Sequence, residues 1–403
     1  MINVVRSYRA LLAIAAISCA LSGADQTGVA QADEFFVTDR ATDRILAFDA
    51  ETGAFSRVLV DEGLMIPSSL AFGPGGDLYV GNLGSGAVLR VDPVTGATSP
   101  YTVVPGPGGL AYDAASNTMF VSIFGNFDGD SIYQVDAAGS IVNVITAGVG
   151  ATGRSGLTIR DGDLYAASFG EGQTFAGSVL KYDGSDNFSF EGTVASDQAL
   201  SGANGIAFDS AGQLYVVGLL SQGVKKFDIS GGPATEGVDF GTPLAYPSGI
   251  LIQQEGETEV AYVTTLGNDK PTDPIYGSFL FPGGIYKLDV ATGNVIGGGA
   301  FVESGAASDH NGDGFVDGAD LTVWKEEFGT AGTSADANLD GIVDGGDFLA
   351  WQRNYGKVGA FQPTAIVRYA PAVATVAAVP EPATMLLSGA ALATLGVAAR
   401  RRR

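Results

Sequence analysis

The chain has 403 residues, 59 of them glycine and only 16% charged, and its formal net charge is −23. A surface so acidic cannot neutralise phosphates, which excludes nucleic-acid binding. The single cysteine, Cys19, and the single histidine, His310, both lie outside residues 33–303. That excludes disulfides, a Cys-His or Ser-His-Asp site and a histidine zinc site in that stretch. In chain order, residues 1–32 read as a secretory signal. Arg6 and Arg9 are its basic start, Ala10 to Leu21 its apolar core, and Ala30-Gln31-Ala32 its small-x-small cleavage site.

From residue 33 one unit recurs. Its second strand appears as Phe35-Phe36-Val37, Leu78-Tyr79-Val80, Met119-Phe120-Val121, Leu164-Tyr165-Ala166, Leu214-Tyr215-Val216 and Ala261-Tyr262-Val263. Its third strand ends in Asp49, Asp92, Asp136, Asp183, Asp228 and Asp289, each before a turn such as Thr52-Gly53. The unit averages roughly 45 residues, the size of a four-stranded propeller blade. The repeat predicts a mainly β fold, a six-bladed β-propeller over 33–303, followed by a small α-helical calcium-loop module. Periodic turn chemistry accounts for the six aspartates, since Asp accepts hydrogen bonds from the turn backbone. The first strand is clear five times, as in Ser69-Leu70-Ala71-Phe72 and Gly205-Ile206-Ala207-Phe208, and is missing from the first blade. Either that blade has three strands or a poorly patterned segment closes the ring; both readings stand open.

The repeat resembles the NHL and gluconolactonase/regucalcin-like propellers. Lactonase-type members hold a divalent metal with Glu, Asn and Asp, and the resemblance implies Asn204, in Asn204-Gly205-Ile206-Ala207-Phe208, as one such ligand. The strand that should bring the Asp reads Pro247-Ser248-Gly249, and the strand that should bring the Glu is the missing one. Three loops after second strands are long: Phe124 to Ser131, Phe169 to Ser178 and Leu266 to Gly284. Long loops on a regular scaffold are where binding concentrates. The expected binding face is therefore Asn126, Phe127, Asp128, Glu171, Phe175, Asn204, Asp269, Tyr276 and Phe279.

Over 304–356 two segments match at a constant offset of 27 residues. Asp309, Asn311, Asp313, Asp317 and Asp320 recur as Asp336, Asn338, Asp340, Asp344 and Asp347. These are oxygen donors at positions 1, 3, 5, 9 and 12 of a calcium loop. Glycine stands at the sharp turn, and Phe315 and Ile342 stand at position 7, which donates a main-chain carbonyl. Leu321, Trp324 and Phe328 match Phe348, Trp351 and Tyr355, one helix face in each half. The residues predict two loop-helix units holding two calcium ions. Duplicated units with Asp at position 12 resemble a type I dockerin, which implies a cohesin-like partner. Gly318-Ala319 and Gly345-Gly346 are smaller than the hydroxyl pairs that cellulosomal dockerins often use, so an intramolecular clamp or another surface partner stands beside it.

Residues 357–378, rich in Ala, Val and Pro without a clear period, read as a linker. Residues 379–403 contain Pro380-Glu381-Pro382, the apolar run Ala383 to Ala399 and the basic tail Arg400 to Arg403. This order resembles the PEP-CTERM sorting signal. The resemblance implies transient insertion of a helix in the inner membrane and recognition by an exosortase-type enzyme. It further implies export to the cell surface or extracellular matrix after C-terminal processing. The expected function is a non-enzymatic surface or matrix protein whose propeller binds a protein or polysaccharide. The competing expectation is an extracellular carbohydrate- or lactone-active hydrolase with a metal in the propeller tunnel.

Overall fold

Short runs of alternating apolar and polar residues, cut by glycine turns, fold as strands with one side chain in two facing each sheet surface. The structure, a computed structural model, describes residues 32–124, 131–146, 148, 153–170, 176–241, 243–267, 283–331 and 334–371. Asp33–Tyr369 form one unit; the two chain ends form a second, of which only residues 32, 370 and 371 are described.

The architecture is mainly β, six four-stranded antiparallel blades, each with its first strand at the axis. From axis to rim the second blade runs Pro67–Phe72, Leu78–Asn82, Ala87–Val91, Thr98–Val103, and the third Pro107–Asp113, Thr118–Ile123, Ser131–Asp136, Ile141–Thr146. The fourth runs Arg154–Arg160, Asp163–Ser168, Ala176–Asp183, Ser189–Ser201. The fifth is Ala203–Phe208, Leu214–Gly218, Gly223–Phe227, Val238–Phe240, and the sixth Pro247–Glu255, Thr258–Thr265, Gly284–Asp289, Val302–Glu303.

The first blade is built from both ends of the unit. Its second, third and fourth strands are Glu34–Asp39, Arg44–Asp49 and Phe55–Val60, and its axial strand is Pro363–Tyr369. The register sets Glu34 against Tyr369 and Val37 against Ile366. This corrects the linker reading of 357–378 and the end of the propeller at 303. Within it Pro363–Tyr369 has no clear period because Thr364 and Ala365 face the crowded axis, yet it is the strand that closes the ring, and 372–378 lie outside the described residues. The blade is four-stranded, and the helical module precedes the last strand of the propeller in the chain.

Six buried clusters sit one at each seam between neighbouring blades. The central residues of the second-strand triplets, Phe36, Tyr79, Phe120, Tyr165, Tyr215 and Tyr262, are all buried in them. The seam between blades six and one also takes Val358, Phe361 and Ile366 from beyond the module. At the rim, Asp49 accepts the amide of Thr52 at 2.8 Å, and Asp92, Asp136, Asp183, Asp228 and Asp289 accept equivalent turn amides.

Two helices complete the unit, α1 (Gly318–Glu327) and α2 (Gly345–Asn354). Each starts in a capping box: Asp317 with Asp320, and Asp344 with Asp347. Such reciprocal caps satisfy amides that the first helical turn leaves orphaned. Past each end stands a glycine at φ 82, Gly329 or Gly356, in the left-handed conformation that stops helices.

Candidate functional site

Among the described residues two places have the make-up of a site: the channel on the axis and the paired loops. The channel has a volume of about 100 Å³ and is lined by the starts of the six axial strands. These strands approach so closely that a Cβ on Gly109 would lie 1.8 Å from the Ser155 carbonyl oxygen. Hydroxyls stitch neighbouring blades together there. Ser68 donates to Pro107 O at 2.7 Å, Ser155 to Ala203 O at 2.8 Å, Ser248 to Pro363 O at 2.9 Å and Thr364 to Pro67 O at 2.9 Å. Asn204 lines the channel, and no carboxylate, imidazole or thiol stands among the described residues that line it. Asn204 is the only residue of the predicted binding face that is described. Asn126, Phe127, Asp128, Glu171, Phe175, Asp269, Tyr276 and Phe279 lie outside the described residues.

The paired loops are related by a reciprocal exchange. The Trp324 indole donates to the Asp344 carbonyl at 3.0 Å, and the Trp351 indole donates to the Asp317 carbonyl at 2.9 Å. Val316 N donates to Lys357 O at 3.0 Å, and Gly356 N to Val316 O at 2.9 Å. In the other half Val343 N donates to Thr330 O at 3.0 Å, and Gly329 N to Val343 O at 2.8 Å. Phe315 bridges Val358 as Ile342 bridges Ala331. Each loop is thus held by the segment that leaves the other loop's helix.

Inside each loop the carboxylates gather amides. Asp309 accepts Gly312 N at 2.9 Å and Gly314 N at 3.0 Å, and Asp320 accepts Asn311 N at 3.2 Å and Asp317 N at 2.7 Å. In the second loop Asp336 accepts Gly341 N at 2.9 Å, and Asp347 accepts Asn338 N at 3.0 Å and Asp344 N at 2.7 Å. Asn311 and Asn338 reach Asp313 and Asp340. Asp320 and Asp347 are fully buried. Burial pushes the Asp309 carboxyl above its ordinary range, opposed by the Gly314 amide and helped by the charges of Asp320 and Asp313.

Among the described residues no ion pair joins a lysine or arginine to any of these carboxylates. Nor do three or more His, Cys, Asp or Glu side chains form a metal cluster by themselves. The loops would draw on Asn and main-chain oxygens as well, which is the donor set of a hard dication. Carboxylates gathered in this way, partly buried and not ion-paired among the described residues, fit such an ion.

Sequence reasoning missed what lies between the loops and the closing strand. A Cβ on Gly359 would come 2.0 Å from Asp309 Oδ2, and Gln362 N donates to Asp39 Oδ1 at 2.8 Å. The available signal was Pro363-Thr364-Ala365-Ile366, which repeats the order proline, hydroxyl, small, aliphatic of Pro67-Ser68-Ser69-Leu70 and Pro247-Ser248-Gly249-Ile250.

Residues 378–403 match the PEP-CTERM protein-sorting motif. The motif implies an exported protein, at the surface or outside the cell, and an exosortase-type processing partner. Pro380, Glu381, Pro382, the apolar run after them and residues 1–31 of the N-terminal signal lie outside the described residues. Among the described residues no helix is long and apolar enough to cross a membrane. No curated protein matches the chain. Among solved structures, one chain of a nidogen/laminin complex is 16% identical with a TM-score of 0.51, over 66% of this chain and 92% of that one. A gluconolactonase from Xanthomonas campestris is 16% identical with a TM-score of 0.47, over 66% of this chain and 84% of that one. A streptogramin B lyase is 16% identical with a TM-score of 0.43, over 63% and 86%. At such identities the likeness is one of fold.

Proposed function

We propose that this chain is a non-enzymatic binding or matrix protein of the cell surface, with a propeller stiffened by a calcium-binding, dockerin-like module. The observation that carries this reading is the reciprocal pair of loops, each with buried carboxylates and no cationic partner. Asp309, Asn311, Asp313, Asp317, Asp320 and the Phe315 carbonyl would hold one calcium ion. Asp336, Asn338, Asp340, Asp344, Asp347 and the Ile342 carbonyl would hold the other. Calcium would supply the positive charge that these carboxylates lack, and ligand binding would then stabilise the folded state by mass action.

The competing hydrolase needs two convergent carboxylates or several metal ligands at the axis. Only Asn204 is there among the described residues, amid hydroxyls already committed to neighbouring blades. Nothing in the channel favours that reading. A cohesin-like or other surface protein is the partner the module suits. Its outer side leaves Phe328, Leu339, Ile342 and Leu349 more than half exposed.

Calcium titration calorimetry on the purified protein tests the reading. The expected result is two ions bound per chain, falling to one in Asp313→Ala and one in Asp340→Ala. No heat of binding and no change in thermal midpoint between calcium and chelator would sink it.

A further inference from the structure

The module is inserted between the last strand of blade six, which ends at Glu303, and the strand that closes blade one, which begins at Pro363. Its first loop grips the chain on the way to that strand. Gly359 N donates to Gly314 O at 2.8 Å, and the space where its Cβ would be is filled by the Asp309 carboxylate. Val316 pairs with Gly356 and Lys357 on the same segment. From the blade-six side, Gly305 N donates to Val358 O at 2.7 Å and the Ser304 hydroxyl donates to Gly359 O at 2.6 Å. Three residues further on, Gln362 exchanges hydrogen bonds with Asp39 and Arg40 of blade one.

An aromatic chain runs alongside. Phe361 contacts Phe48 at 5.4 Å between ring centres, Phe48 contacts Phe55 at 5.9 Å, and Phe55 contacts Phe315 of the first loop at 5.3 Å. Arg44 of blade one covers Phe315 and donates to the Asp313 carbonyl at 3.5 Å. The second loop differs. Every hydrogen bond recorded for it among the described residues stays inside the module. A cleft of about 320 Å³, open to solvent, lies between Phe55, Phe301 and Tyr355.

We infer that the first loop is a calcium-set latch of the propeller ring. Ion binding there would fix residues 313–316, these hold 356–359, and that segment seats the closing strand Pro363–Tyr369 against Glu34–Asp39. The second loop supports the module without reaching the seam. This inference rests on the calcium reading above and adds which part of the molecule the ion governs.

Hydrogen exchange with mass spectrometry tests it, on the full chain in calcium and in chelator, with calcium binding measured in parallel by calorimetry. The expected result is slower exchange of Thr364–Tyr369 and Glu34–Asp39 in calcium, with Leu214–Gly218 of blade five unchanged. If only the closed seam binds the ion, calcium at a hundred times its dissociation constant lowers the open population, and the exchange through it, about a hundredfold. Asp313→Ala should abolish the difference and Asp340→Ala should keep it. Should two ions bind while the seam exchanges equally in both conditions, the latch is overturned and the calcium reading stands. Should no ion bind, both fail. If Asp340→Ala removes the response as fully as Asp313→Ala, the assignment to the first loop is overturned. The unsubstituted protein carries the first two outcomes by itself, whether or not the variants fold.

Discussion

The two loops of the module share their Asp and Asn spacing, caps and tryptophans, yet they have different surroundings. Phe315 of the first loop packs on Phe55 under Arg44, while its counterpart Ile342 is exposed. Trp351 is nine-tenths buried, whereas Trp324 is only partly covered. Gly314 would meet Arg44 with a Cβ, and Gly341 would meet nothing within 4 Å. Duplication thus made two chemically equal halves, and insertion into the ring made them mechanically unequal. The half whose neighbour leads to the closing strand became part of a seam.

Substitutions made at matched positions break that comparison most strongly at the tryptophans. Trp351→Ala should cost about 3–5 kcal/mol, the range for truncating a buried large aromatic. Trp324→Ala should cost less than half as much, as read by urea unfolding in calcium. Equal costs would show that the halves are not distinguished by burial.

Phe315→Ala should cost about 2 kcal/mol, since it removes a partly buried ring from the aromatic chain to blade one. Ile342→Ala, on the exposed side, should stay within about 0.5 kcal/mol. The same unfolding curves read both.

Gly359→Ala would drive a methyl into the Asp309 carboxylate, and the needed backbone shift should cost about 1–3 kcal/mol. It should also weaken calcium binding at the first loop and spare the second. A loss of both ions would mean that the loops act as one unit rather than two.

The smallest expected effects come from pH and separate the rim from the seam. Asp49, Asp92, Asp183, Asp228 and Asp289 are held below the ordinary carboxylate value by hydrogen bonds from Thr52, Thr95, Ser185, Ser230 and Thr292. Their contribution is complete above the ordinary value and is lost as pH falls through the lowered ones. Asp39, at the seam, is pushed the other way by burial, against the hydrogen bonds from Thr42, Gln362 and Ala41. The fold favours its protonated form, so the seam loses stability as pH rises from the ordinary value through the raised one. Thermal midpoints measured from pH 7 down to pH 3 should therefore show an acid-side loss that survives Asp39→Asn. The opposing seam component should vanish in that variant.

Much of this organisation was legible in the chain. The triplets around Phe36, Tyr79 and Tyr262 mark second strands because a buried seam demands an apolar run, and a tight turn demands Asp at its start. Asn204 lines the channel because it stands at the start of the axial strand Ala203–Phe208. The sequence already set Ser248 and Gly249 where the resemblance would want an Asp, and the axial positions of the other blades likewise carry hydroxyls and glycines. The linker reading failed at Pro363–Tyr369, where the axial strand needs small residues at Thr364 and Ala365 and so shows no strong period.

By itself the sequence determined properties that depend on neighbours a few residues apart: blade turns, the repeated Asp and Asn spacing of the two loops and the matched sorting motif over 378–403. Only the tertiary structure decided where the ring closes and what the module touches. Glu34 meets Tyr369, and Asp39 meets Gln362, across almost the whole unit. A strand's own pattern, such as Pro363-Thr364-Ala365-Ile366, marks it as axial but does not name a partner so remote, because pairing is decided by which sheet edge the fold brings beside it.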